Sequence, residues 1–91
     1  MANKIDFNEY NFTQETGTFK GVLMHKHYGK KNNNIVAYVD LDDGRKVIAV
    51  AYKEPENYLG LNHIGENTRV SLTFIERDSG KIYLSEVNTI A

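Results

Sequence analysis

The chain has no cysteine and a single proline in 91 residues. Without cysteine there is no disulfide, no thiolate metal site and no cysteine nucleophile, so the staples of a small secreted scaffold are missing. Long apolar runs are lacking too. None approaches the ~20 residues needed to cross a bilayer, and the opening MANKIDFNEY is polar and acidic, unlike an export signal. The expectation is a cytoplasmic protein without a membrane span. An excess of one charge is also absent: the formal charge is -1, which argues against a bulk binder of polyanions. Catalytic signatures are missing as well, with no activated nucleophile, no carboxylate pair at helix or strand spacing, and no glycine-rich phosphate loop. The Ser and Thr beside carboxylates in GENT and RDSG have the composition of turns that bond their own backbone. No enzyme activity and no cofactor are expected.

What is present is an ordinary globular composition, 41% hydrophobic and 25% charged, long enough for one domain and one small core. Charge is segregated along it. Residues 20–53 hold seven Lys or Arg against three Asp, a local +4, while residues 1–19 carry -2 and residues 54–91 carry -3. Asn, Lys, Ile and Tyr are frequent, a bias of AT-rich genomes that fits a low-GC bacterium, a phage or a mobile element.

From Thr18 onward the apolar pattern is short and alternating, rich in β-branched and aromatic residues, with turn signals between the runs. TFKGVLMHKH, residues 18–27, sets Phe19, Gly21, Leu23 and His25 on one face and Thr18, Lys20, Val22 and Met24 on the other. Its mid-strand glycine marks a bend or bulge. NIVAYVDL (34–41), the turn DDG (42–44) and RKVIAVAYK (45–53) read as a hairpin. TRVSLTFIE, RDSG (77–80) and KIYLSEVNTI read as a second, with Val70, Leu72 and Phe74 facing inward. Between the hairpins, Pro55 suits a first helical turn and Glu54 and Glu56 suit the positive end of its dipole. With Gly60 as a stop, the spacing predicts one short helix over 55–60. Tyr58, Leu59, Leu61 and Ile64 would plug one end of the core.

This order of three strands, a short helix and two strands, with a glycine-containing first strand at Gly17 and Gly21, resembles the OB-fold, a five-stranded Greek-key barrel. The resemblance is architectural and covers residues 16–90 of a single small barrel domain at 16–91. It implies an all-β fold with one short helix; an SH3-like barrel, also five short strands and a one-turn helix, is the alternative. Residues 1–15 form an arm outside the barrel pattern. Their Ile5, Phe7, Tyr10 and Phe12 suit packing on the barrel as an edge strand or lid, with a dimer arm or partner-binding segment and a disordered tail as the alternatives.

An OB-like barrel implies a ligand face on strands two and three, flanked by the loops at 26–33 and 77–80. Single-strand binders of that fold present rings for base stacking and cations for phosphates. The ring candidates are Tyr28, Tyr38 and Tyr52, and the cation candidates are Lys26, Lys30, Lys31, Arg45, Lys46 and Lys53. Asp40, Asp42 and Asp43 would repel phosphate at the far end of the hairpin. Tyr38 shares a face with Val36 and Asp40, opposite the apolar Ala37, Val39 and Leu41, so it should point outward. On strand three both faces are apolar, so something must cover one of them: the arm, a second subunit or a ligand. His25 and His27 project to one side but lack a third ligand fixed by spacing, so no metal is expected. Two functions follow: binding of single-stranded DNA or RNA, or interaction with a protein through Phe7, Tyr10 and Phe12 or through an edge strand, as in a phage or mobile-element protein acting on its host.

Overall fold

The computed structural model of the chain describes residues 6–31, 33–52, 56–77 and 80–90, with backbone alone for 56–59. A 3-10 turn, Phe7–Glu9, comes first, capped by the Asp6 side chain, which accepts from the Asn8 N–H. Then come β1 (Asn11–Phe12), β2 (Gly17–Tyr28), β3 (Ile35–Leu41), β4 (Lys46–Ala51), helix α1 (Glu56–His63), β5 (Thr68–Arg77) and β6 (Lys81–Thr89). All six strands belong to one sheet, in the order β1-β4-β3-β2-β5-β6. Only β1 runs parallel to its neighbour; the other pairs are antiparallel.

The protein is therefore mainly β with one short helix, and both hairpins lie where the turn signals place them. Gly44, at φ +96, supplies the left-handed residue of the first. Arg77 pairs with Lys81 across the second, whose residues 78 and 79 lie outside the described residues.

The sheet differs from a closed five-stranded barrel in two ways. Residues 11 and 12 of the arm add a sixth strand, pairing with Val47 and Ile48. No ladder joins β4 to β6 among the described residues. The first difference accounts for part of the second, because a strand has two edges. β3 takes one edge of β4, and β1 occupies part of the edge that closure onto β6 would use.

β2 holds the fold together. Gly17 to Leu23 pair with β5 while Gly21 to Tyr28 pair with β3, so around Gly21 both edges are engaged and the strand passes from one half of the sheet to the other. Gly21 is required there: a Cβ on it would lie 2.3 Å from the Asp40 carbonyl oxygen and 2.9 Å from Leu41 Cα.

A register shift between Leu23 and His25 corrects the sequence-based faces of this strand. Leu23 is buried opposite Val39 as expected, but the extra residue turns His25 to the other face, opposite Tyr38. A one-residue bulge exchanges every face beyond it, so Lys26 and Tyr28 point to the core side.

The core lies between the inner face of the sheet and α1. Ile35, Ala37, Val39 and Leu41 alternate with half-exposed residues along β3, and Val47, Ala49 and Ala51 do so along β4. Val70, Leu72 and Phe74 face them from β5, with Leu84 and Val87 from β6. α1 runs three residues past the predicted stop. Gly60 sits inside it because it faces β6, where a Cβ would lie 2.9 Å from the Val87 side chain. Leu61 and Ile64 plug the core as predicted. Pro55 and the side chains of Tyr58 and Leu59 lie outside the described residues. Among the described residues, no helix is long and apolar enough to cross a membrane.

Candidate nucleic-acid interface

The rings and cations singled out in the sequence do not converge on one surface. Tyr38 does face outward, in a cross-sheet register of His25 (β2), Tyr38 (β3), Ile48 (β4) and Phe12 (β1). It is covered. The Phe7 ring lies 4.6 Å from the Tyr38 ring and 5.4 Å from the His25 ring, and Tyr10 meets Tyr38 edge-on at 5.3 Å. Tyr10 is buried, 6% exposed, and its hydroxyl donates to Asp40 Oδ1. Burial first, and then the hydrogen bond and charge of Asp40, hold its phenol well above the usual tyrosine range. The arm thus covers the outer side of β3 at Tyr38, while the outer Ile48 and Val50 of β4 stay half-buried and line a cleft with Phe12, Tyr52 and Tyr83.

A cleft of about 670 Å³ remains between the 3-10 turn and the sheet. Asp6, Glu9, Asp40 and Glu66 contribute carboxylates to its lining against the one cation of Lys46, a field that repels phosphate. His25 Nδ1 lies 2.8 Å from Glu66 Oε2. His25 and His27 do face the same side, their rings 6.0 Å apart, but no cluster of three potential metal ligands occurs among the described residues.

Three of the predicted phosphate-binding cations are engaged within the protein. Lys26, turned inward by the bulge, donates to the carbonyl oxygens of Leu61 and Asn62 at 2.7 and 2.9 Å. It caps the last turn of α1, where a cation is favoured by unpaired carbonyls and the helix dipole. Tyr28, on the same side, donates its hydroxyl to Asn62 Oδ1. Arg45 bridges Asp43 and Glu15 at 2.7 and 2.5 Å and lies 4.8 Å over the Phe19 ring. These carboxylates raise its pKa above the ordinary value, and the Arg45 hydrogen bonds lower that of Asp43. Lys46 pairs with Asp40 at 3.3 Å and sits over the Tyr10 ring. Asp42, expected to repel phosphate, is matched by Arg69, which bonds both its oxygens at 2.6 and 2.9 Å and lowers its pKa.

Lys30 and Lys31 remain open: no described residue pairs with either. They stand in the 29–34 loop, which closes through Gly29 N–H to Asn34 O at 2.7 Å and turns at Asn33, φ +57. Asn33 thus serves turn geometry, since Asn tolerates the left-handed region.

Tyr52 follows Ala51, which pairs with Ile35, so it lies at the same end of the sheet as this loop. Its ring is 45% exposed and stands 6.1 Å from that of Tyr83 on β6. Phe12, 62% exposed, completes a groove of about 360 Å³ along the open β4–β6 seam, shared with Gln14, Gly80, Lys81 and Ile82. Among the described residues the lining holds one cation, Lys81, and no carboxylate. Arg77 lies 5.8 Å over the Tyr83 ring, and the Glu76 carboxylate borders the groove at Gly80. Lys53 lies outside the described residues.

Sequence reasoning missed Tyr83, Lys81 and Arg77. The alternation of KIYLSEV set Tyr83 opposite Ile82 and Leu84, a sign that its ring leaves the core, but only the folded seam brings it to Tyr52. Comparisons with protein-family models, with curated proteins and with solved structures return no match to this chain.

Proposed function

We propose that the protein is a non-catalytic cytoplasmic module that binds single-stranded nucleic acid along the β4–β6 seam, on an OB-like barrel left partly open there. The observation that carries this reading is the triad of exposed Phe12 and Tyr52 with half-buried Tyr83, set in a groove whose described lining has a lysine and no carboxylate. The order β4-β3-β2-β5-β6, with the long β2 shared by both halves and a helix between β4 and β5, supports the OB-like architecture. Bases would stack on the rings while Lys81, Arg77 and the 29–34 loop lysines meet phosphates. Stacking contributes ~1 to 3 kcal/mol per base, so the expected affinity is about micromolar.

The test is fluorescence anisotropy of a labelled oligo-dT and oligo-U across a salt series. Expected is binding whose log–log salt slope is about -2 to -3, as three or four phosphate contacts give on a single strand. Tyr52→Ala with Tyr83→Ala removes two stacking rings and should weaken binding at least about tenfold. Absence of binding to both oligomers at low salt overturns the reading.

A second reading rests on a different observation. The part of β4 beyond Ile48 keeps an edge unpaired by any described strand, and Tyr52 at its end lines the groove. An extended apolar peptide could add there as a strand. Its binding would be insensitive to salt.

A further inference from the structure

Resting on the nucleic-acid reading above, we infer that the Tyr38 and His27 rings form a second stacking position, and that residues 6–9 are a lid that closes it. Tyr38 and His27 sit on adjacent strands with rings 5.8 Å apart and only 24° from parallel, a platform on the outer face. The register Phe12, Ile48, Tyr38 links this platform to the seam groove. Adjacent strands lie about 4.8 Å apart, so one intervening strand puts Tyr38 about 10 Å from Phe12. A single strand leaving the seam would cross Ile48 and reach it.

The lid is built to leave. None of residues 7–9 is buried, and Phe7 remains 46% exposed even against Tyr38. Among the described residues, every hydrogen bond of residues 6–9 stays local. Glu9 N–H and Tyr10 N–H donate to Asp6 O and Phe7 O, Asn8 N–H donates to the Asp6 side chain, and Asn11 reaches Glu9 O. The turn meets the sheet through the Phe7 ring, with the acidic cleft beside it. The anchor is the next residue, Tyr10, so residues 6–9 can swing away while Tyr10 and β1 hold.

Closed, the lid resembles the ligand. Phe7 takes the place of a base on Tyr38, and Asp6 and Glu9 bring negative charge to the cleft edge, where phosphates would run. A site that must open before it binds shows an apparent affinity lowered by its open fraction. Weakening the lid therefore tightens binding.

The experiment compares the full chain with the D6N/F7A/E9Q variant, in which the amide oxygen introduced at position 6 still caps the turn. Binding of labelled oligo-dT should tighten at least about fivefold in the variant. Adding Tyr38→Ala in that background should return the affinity to that of the full chain, whereas Tyr38→Ala alone should change little. In the full chain, saturating oligo-dT should speed hydrogen exchange at the Glu9 and Tyr10 amides. Equal or weaker binding by D6N/F7A/E9Q, or a gain that survives Tyr38→Ala, overturns the lid. If oligo-dT binds but slows exchange at those two amides, the lid is again overturned. If no variant binds, the nucleic-acid reading itself fails, and the two failures are distinct.

Discussion

The Tyr10 hydroxyl donates to the Asp40 carboxylate across 30 residues of sequence and ties the N-terminal arm to the outer face of the sheet. Asp40 is also held by Lys46, whose ammonium lies over the Tyr10 ring, so phenol, carboxylate and ammonium form one half-buried set. Tyr10 and the short strand β1 that follows it are thereby held on the sheet.

Tyr10→Phe keeps the packing and removes the bond to a charged acceptor. It should lower stability by about 1 to 2 kcal/mol in urea unfolding, and Tyr10→Ala by about 3 to 5 kcal/mol, as expected for a buried ring. A Tyr10→Ala value below that of Tyr10→Phe would contradict the burial.

The same bond makes a pH prediction. Tyr10 titrates near 10.0 in the unfolded chain and well above that when folded. A raised folded pKa gives stability that is fully present below the unfolded value and lost as pH rises from about 10 toward the folded value. The stability advantage of the wild type over Tyr10→Phe should hold from about pH 7 to about pH 9 and shrink above about pH 10. An advantage that grows in alkali would refute the assignment.

Gly21→Ala should cost at least about 2 kcal/mol, since the new methyl meets the backbone of β3 rather than a side chain that could move aside. Gly44→Ala provides the contrast: nothing lies within 4 Å of its Cβ position, and its cost, about 1 kcal/mol, comes from φ +96 alone. Thermal or urea unfolding of the pair measures the difference.

Lys26→Met keeps the aliphatic stem but removes the cap of α1. Stability should fall by about 1 to 2 kcal/mol, from two hydrogen bonds to terminal carbonyls. The salt slope of oligo-dT binding should not change. A slope reduced by about 0.7 would instead mean that Lys26 touches a phosphate.

Alternation and turn chemistry were enough to read five of the six strands, both hairpins, and the inward faces of β3 and β5. These depend on near neighbours, and a period of two cannot be satisfied with the wrong residues inside. The outward Tyr38 was legible for the same reason. The helix stop at Gly60 was misread because its cause, Val87, lies 27 residues away.

The candidate site was less legible. Lys26 and Lys30 look alike in sequence, yet one caps a helix and the other stands open. The bulge after Leu23 decides this: nothing in LMHKH marks the extra residue, and it exchanges the faces of all that follows in β2. Arg45 and Glu15, 30 residues apart, find one another only once the arm has docked.

The sequence by itself determined a cysteine-free, all-β domain with one short helix and a basic middle, because composition and periodicity act locally. Only the tertiary structure decided which rings stay uncovered and which cations stay unpaired. Those depend on register, on the bulge and on where the arm lies, all set by contacts between residues far apart in the chain.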